Sequence, residues 1–424
     1  MLLEIFIAFT TVILIFLYSS WLIIAALPEK KNVLKKYPKL SVIIPAYNEE
    51  KNIRETLQSV LSADYPDRFE ILVVDDGSKD RTAEIVKGFA KSTRYSYAAV
   101  KLVKGTHQGK AKAVNLAMRY AKGDILAILD ADTLIEKDSL KKLVAPFSER
   151  NVGAVAATLR VKKSLNPLTW FQHFEYAVSS SWRYIVDKVN GLCIVPGFCA
   201  FRKSALGKVG GFKGDTAVED YDICLHLMKA GYSIKMAPEA IAVTKVPETF
   251  SGLVKQRIRW NRGTIQTLRI HSDLLLKRHT IGLYTMPTQI YWFLNAIIYL
   301  PVVLYQIISG YLQYFVSYGN AVSFAALAYF LKWFTVFGMV EFIFNVSNGI
   351  YAASMINILT IIIFSLSFIF ALFSIIKFSG FNIYSIASLL FFFPYYLVTL
   401  VIYLFSMVYE LVTGDRGEKW EKSL

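Results

Sequence analysis

The stretch DILAILDADT, Asp124–Thr133, decides the fold. Its apolar run Ile125–Leu129 is too short for a helix and stops at two aspartates one residue apart, so it reads as a buried strand ending in a turn. Two upstream stretches repeat the pattern, LSVIIPAYN (Leu40–Asn48) and FEILVVDDGS (Phe69–Ser78). Between the strands, EKNIRETLQSVLSA (Glu50–Ala63), DRTAEIVKGFAKS (Asp80–Ser92) and KAKAVNLAMRYA (Lys110–Ala121) carry the helical period. This alternation predicts an α/β domain with a mostly parallel sheet, wound by right-handed crossovers, whose ligand site lies at the carboxyl ends of the strands.

Outside that region the chain is far too apolar for one soluble core. Over 424 residues, 54% are hydrophobic and 15% aromatic, the composition of a membrane protein carrying a soluble domain. The formal charge of +15 falls where the soluble part meets apolar segments, which suits anionic lipid heads and a phosphate-bearing substrate and excludes nucleic acid as the leading partner. Cys193, Cys199 and Cys224 form no close pair and are odd in number, as expected of buried thiols in a reducing compartment.

The first 27 residues carry only Glu4 as a charge and are long enough to cross a hydrocarbon layer of roughly 30 Å. The run is too long, and too poor in leading basic residues, for a cleaved signal peptide. Lys30, Lys31, Lys35, Lys36 and Lys39 follow, which by the positive-inside tendency places the next domain in the cytoplasm; the expected location is the plasma membrane, as a multi-pass protein. Further spans are expected near Leu283–Ile308, Val322–Phe344, Ala352–Ile376 and Tyr384–Leu411, about four in all. Pro287 and Pro301 leave room for part of the first to lie along the interface, and Lys332 and Glu341 put costly charges inside the second. The expected order is a membrane helix over 1–27, a basic linker over 28–39 and a catalytic domain over 40–250. An interfacial helix region over 251–280, membrane helices over 281–412 and a charged cytoplasmic tail over 413–424 complete it.

Three acidic groups stand at predicted strand ends or helix starts: Asp75 with Asp76, Asp130 with Asp132, and Glu219 with Asp220. Any one is explained as a helix cap, but three at the ligand edge of one sheet point to chemistry. Asp130 and Asp132, with no His or Cys set nearby in sequence, suit Mg²⁺ or Mn²⁺ bound to a diphosphate. Lys110 and Lys112 flank a helix start, where backbone N–H groups already favour anions.

The segments IIPAYNEE, VVDDGSKDRT, GKAKAVNLA, LDADT, AVEDYDICLHLMKAGY and QRIRW occur in this order between Leu40 and Arg278. In that arrangement the chain resembles the processive family 2 membrane glycosyltransferases, the group of hyaluronan, cellulose, chitin and poly-N-acetylglucosamine synthases. The resemblance implies a GT-A-type nucleotide-sugar-binding domain flanked by transmembrane helices, one N-terminal and about four C-terminal. It implies that Pro45, Tyr47 and Glu49 line the nucleotide cleft, that Asp75 or Asp76 reads the base, and that Lys112, with Lys110 as alternate, lies near the diphosphate. Asp130 and Asp132 would hold the donor and its metal, Asp220 would be the catalytic base, and Glu219 its supporting neighbour. Val218 stands where the family's motif commonly has threonine, outside the two acids.

If KQRIRW is helical, Gln256, Arg259 and Trp260 share one face and Arg257 points elsewhere. In the resembled family this face closes the acceptor end, with a guanidinium for phosphate oxygens and an indole for a sugar ring. An interfacial anchor helix would explain the same residues less completely. The residues Trp170, Phe171, His173, Phe174, Glu175 and Tyr176 resemble the stretch that shapes the acceptor pocket, although core packing explains most of the aromatics. The expected function is inverting, processive transfer of sugars from a nucleotide donor, UDP-linked, to a growing polysaccharide, coupled to export. The alternative is a non-processive lipid glycosyltransferase of the ceramide glucosyltransferase kind, and a transporter or scaffold with an idle sugar-nucleotide domain is a third, weaker reading.

Overall fold

The computed structural model describes residues 2–29, 34, 36–92, 98–318, 323–333 and 335–413. Lys30, Lys31 and Lys35 of the basic linker and residues 414–424 of the charged tail lie outside the described residues. In chain order the elements are α1 (Leu2–Ala26), β1 (Leu40–Ala46), α2 (Ile53–Leu61), β2 (Phe69–Asp75), α3 (Thr82–Ser92), β3 (Ala98–Lys104), α4 (Lys110–Tyr120), β4 (Ile125–Leu129) and β5 (Thr133–Ile135). Next come α5 (Ser139–Val144), β6 (Val152–Val161), α6 (Pro167–Lys188), β7 (Phe198–Arg202), α7 (Lys203–Val209), α8 (Glu219–Lys229), β8 (Ser233–Thr244) and α9 (Phe250–Ile270). The remainder is helical: α10 (Met286–Tyr318), α11 (Phe324–Trp333), α12 (Val336–Ser347), α13 (Met355–Ser374), α14 (Ile383–Leu390) and α15 (Phe392–Thr413).

The chain divides into two compact units, one formed by Met1–Leu27, Ser164–Trp182 and Pro287–Leu411, the other by Pro28–Lys163, Arg183–Met286 and Val412–Leu424. The second unit holds an eight-stranded sheet of order β3-β2-β1-β4-β7-β6-β8-β5. Its first half is parallel, with Ala46 level with Asp75 and Leu40 paired to both Phe69 and Ile125. β2 and β4 are buried along their whole length and β1 at all but Pro45, as strands covered by helices on both faces must be. The second half is mixed: β7 runs antiparallel to β4 and β6, while β6 and β8 are parallel. That switch of direction beside β4 opens a crevice at the carboxyl ends of the parallel strands.

The first unit contains the long apolar helices. Four are long and apolar enough to cross a membrane: Ile7–Ala26, Ile281–Ser317, Met355–Ser379 and Phe392–Thr413. The described residues therefore hold three such helices after the catalytic region, with the expected span Val322–Phe344 divided instead into α11 and α12. At 10 and 12 residues these reach only about 15 and 18 Å, short of the roughly 30 Å of a hydrocarbon core. Thr335, at the N-cap of α12, donates both its N–H and its hydroxyl to the Lys332 carbonyl. Lys332 and Glu341, the two charges on this stretch, pair with each other at 2.5 Å. Pro301 lies inside α10 without ending it.

Candidate active site

β1 ends at Ala46, and the chain turns through Tyr47 and Asn48, the latter left-handed at φ 53°. Glu49 is buried, its backbone N–H donating to Thr82 Oγ1 at 2.7 Å and its carboxylate accepting from Asn52 Nδ2 at 2.8 Å. It thus helps to start α2. Pro45 is the last but one residue of β1, level with Val74.

β2 delivers Asp75 and Asp76 to the same edge, where they behave differently. Asp76 accepts from the backbone N–H groups of Gln108 at 3.0 Å and Gly109 at 2.8 Å, one on each oxygen. Asp75 accepts through Oδ1 from Ser78 N–H at 3.0 Å. Asp76 is therefore engaged in holding the entrance to α4. Beside them His107, left-handed at φ 53°, stacks on Tyr47 with ring centroids 4.0 Å apart. His107 was absent from the sequence-derived set because no periodicity marks a single loop residue.

α4 places the two lysines differently. Lys110 Nζ lies 2.6 Å from Asp130 Oδ1 and 3.5 Å from Glu219 Oε1, while Lys112 is exposed. Burial pulls the Lys110 ammonium down, but the charges of Asp130 and Glu219 outweigh it and hold the group well above its usual range. Asp130 receives the close approach of Gly197, whose carbonyl accepts from the Asp130 N–H at 3.0 Å. A Cβ on Gly197 would run into Asp130 Oδ2. Asp132 is pushed up to about 6, first by burial and then by the charge of Asp130.

Two neighbouring carboxylates beside a single lysine are a donor set that fits a divalent cation, and oxygen-only ligands favour a hard one. Glu219 and Asp220 open α8, where the N-terminal dipole favours acidic residues. Asp220 is pushed up to about 7 by burial and by Glu219, against the pull of Lys110, the Tyr221 N–H and Arg259. Asp130, Asp132, Glu219 and Asp220 thus form one electrostatically linked cluster around Lys110.

α9 forms the adjoining wall. Gln256, Arg259 and Trp260 are all half-buried on it, and Arg259 Nη1 donates to the Ala217 carbonyl at 3.4 Å. Arg257, expected to point elsewhere, is buried instead: it donates to Gln256 Oε1 at 2.7 Å, and its guanidinium lies 4.3 Å from the Trp260 ring centre. Arg257 and Trp260 are an i, i+3 pair, neighbours on the helix surface, so Arg257 flanks the face that carries Trp260. A second group missed from sequence joins Asp222, His226 and His271, whose ligand atoms lie within 4.8 Å of one another and could hold a metal ion. His226 lies at i+4 from Asp222 on α8, but His271 comes from the end of α9.

The stretch from Trp170 to Tyr176 falls in the other unit. There Trp170 packs on Tyr384, Phe171 stacks on Tyr395, His173 Nε2 meets Ser379 Oγ at 2.7 Å, and Glu175 accepts from the Tyr395 hydroxyl at 2.5 Å.

Comparison with known proteins agrees with this architecture. Residues 41–210 match the model of Glycosyl transferase family 2. A poly-beta-1,6-N-acetyl-D-glucosamine synthase of Staphylococcus epidermidis is 32% identical over 255 residues, 58% of this chain and 60% of that protein. The probable glycosyltransferase YdaM of Bacillus subtilis is 34% identical over 249 residues, 56% and 58% of the respective lengths. The matches therefore span less than two thirds of these relatives. A mannosyltransferase from Pyrobaculum calidifontis, solved in complex with GDP-Man and Mn²⁺, superposes over 89% of this chain and 99% of its own with a TM-score of 0.59 at 23% identity, a likeness of fold that extends beyond the catalytic region. Strand order, acidic edge and sequence match converge on residues 41–210, the part of this chain that matches Glycosyl transferase family 2.

Proposed function

We propose that the protein is an inverting glycosyltransferase that moves sugars from a nucleoside diphosphate donor, UDP-linked, to the hydroxyl of a growing polysaccharide at a membrane. The observation that carries this reading is the cluster around Lys110, with Asp220 pushed up to about 7. A general base works best when its pKa lies near the operating pH. Asp220 takes the proton of the acceptor hydroxyl as that oxygen attacks the anomeric carbon, and Glu219 sustains the raised pKa. Asp130 and Asp132 would hold Mg²⁺ or Mn²⁺, which supplies Lewis-acid neutralisation of the departing diphosphate. Lys110 rather than Lys112 stands at the diphosphate end, Tyr47 and Asp75 face the nucleobase, and Pro45 and Glu49 shape the turn that carries Tyr47. On α9, Arg259 and Gln256 offer polar contacts and Trp260 an apolar surface for the acceptor sugar.

The apolar helices support a multi-pass protein of the plasma membrane with residues 40–250 as its cytoplasmic catalytic domain, 251–280 as an interfacial region and lipids as its surroundings. The names of the staphylococcal relatives make UDP-N-acetylglucosamine the first donor to try and poly-β-1,6-linked polymer the first product to seek. The test is incubation of the protein in lipid nanodiscs with Mn²⁺ and a panel of radiolabelled UDP-sugars, followed by sizing of the products. A polymer ladder from one donor, abolished by Asp220→Asn, is the expected result. A single sugar on extracted lipid would replace the polymer reading with lipid glycosylation, and turnover undiminished in Asp220→Asn would remove Asp220 as the base.

A further inference from the structure

Just before Glu219, the Thr216 hydroxyl donates to the Val218 carbonyl at 3.1 Å. Val218 occupies the N-cap position of α8 without a side-chain cap, so contacts from outside the turn have more to set. α9 provides the contacts. Arg259, Gly263 and Gln266 lie at i, i+4 and i+7 and so form one stripe along that helix. Arg259 Nη1 donates to the Ala217 carbonyl at 3.4 Å, and the Ala217 N–H donates to Gln266 Oε1 at 3.1 Å. The two side chains thus satisfy both backbone polar groups of one residue.

Between them, Gly263 lets the helix touch the chain. A Cβ there would lie 2.8 Å from Val218 N and from each of its two Cγ atoms, closer than packed atoms approach. About two turns beyond Gly263, at the end of the helix, the buried His271 meets Asp222 of α8 at 2.8 Å through Nε2. Its Nδ1 is buried with no hydrogen-bond partner. An ion on Nε2 would oblige Nδ1 to carry an unpaired buried N–H, which costs more than a bare lone pair. The His271 arrangement therefore suits a hydrogen bond between the helices better than a metal.

We propose that Gly263 and Gln266 are positioning residues that seat the start of α8 against α9 and thereby aim the Asp220 carboxylate at the acceptor hydroxyl. The same helix carries Trp260, so the base and the acceptor platform are held in one register by direct contact. This inference rests on Asp220 being the base. The proposed donor contacts come from β1, β2, β4 and α4, which meet α8 through the 3.5 Å Lys110–Glu219 pair, so a defect in the stripe should appear in turnover far more than in donor affinity. An error of about 1 Å in the placement of a catalytic group can cost on the order of a hundredfold in rate.

The test compares Gly263→Ala, Val218→Ala, their double variant, Gln266→Leu and Asp220→Asn in nanodiscs, each normalised to folded protein by circular dichroism, with kcat and donor KM measured separately. Gly263→Ala is expected to lower kcat by about tenfold or more with donor KM within about twofold, and the double variant to recover at least about threefold by removing two of the three close contacts. Gln266→Leu, which adds no bulk beyond that of glutamine, should show the same split and stands in if Gly263→Ala fails to fold. Unchanged kcat in Gly263→Ala and Gln266→Leu, a donor KM that rises in step with the loss, or no recovery in the double variant overturns the inference. Retained turnover in Asp220→Asn instead overturns the assignment of the base, whatever α9 does.

Discussion

Replacing Lys110 by methionine keeps the length of the side chain and removes the only lysine that pairs with Asp130 and Glu219 among the described residues. At an effective dielectric constant of about 20, unit charges at these separations attract by roughly 5–6 kcal/mol each before desolvation is counted. The Lys110 side chain is 20% exposed, and those of Asp130 and Glu219 are 35% and 15%, so the net loss on breaking the pair should be about 1–3 kcal/mol, below the value for a fully buried pair. The effect on Asp220 is more diagnostic. Its pKa is raised by burial and Glu219 and restrained first by Lys110; an opposite charge at such range is worth one unit or more. Removing it should therefore raise the acid limb of the rate profile by about one unit, because a base works only when deprotonated. Moving a limb from about 7 to about 8 lowers kcat roughly fivefold near pH 7 and by less than about twofold near pH 9. The assay is kcat against pH at saturating donor and Mn²⁺ for both proteins, and the difference between the two limbs is what counts. A loss equal at every pH would mean that Lys110 acts on the donor alone, and coincident limbs would refute the electrostatic link to Asp220.

Two further outcomes follow from the same cluster. Gly197→Ala should push Asp130 out of place, because its new Cβ runs into Oδ2; donor KM is expected to rise about tenfold or more with overall melting lowered by only a few degrees, and an unchanged donor KM would remove Asp130 from the donor site. Protons and a divalent cation compete for Asp132, whose pKa is raised to about 6. Mn²⁺ should accordingly raise the melting temperature at neutral pH and lose that effect as the pH falls through about 6. In Asp132→Asn the Mn²⁺ shift should vanish at every pH, and its survival there would place the ion elsewhere.

Which parts of this site were legible in the sequence depends on whether a residue acts through the period of its own element. The buried runs of β1, β2 and β4 carry that information in adjacent residues, so the parallel half of the sheet and its acidic edge follow from Leu40–Asp132 read linearly. Between Lys110 and Lys112 the decision belongs to helix phase: two residues along a helix turn a side chain by about 200°, so only one of the pair can face Asp130, and which one depends on where Gly109 starts the helix. Asp75 and Asp76 point to opposite sides of a strand end for the corresponding reason in a period of two, and the partner that distinguishes them is a loop backbone more than thirty residues away. Hydropathy averages over a window, and it ran Val322–Phe344 together as one span because the Thr335 turn and the Lys332–Glu341 pair barely alter that average. Arg257 lies at i−3 from Trp260, so its contact with that ring follows from the i, i+3 relation that the reading of one shared face passes over. Gly263 and His271 are the hardest to read. Each matters only through a contact made about 45–49 residues away, with Val218 and Asp222, and glycine at mid-helix otherwise registers as a loss of about 1 kcal/mol of helix propensity. Tolerating that loss at the point where α9 meets the chain entering α8 makes physical sense only if close approach there is worth more than the propensity, and this is the quantity that the Gly263→Ala comparison measures.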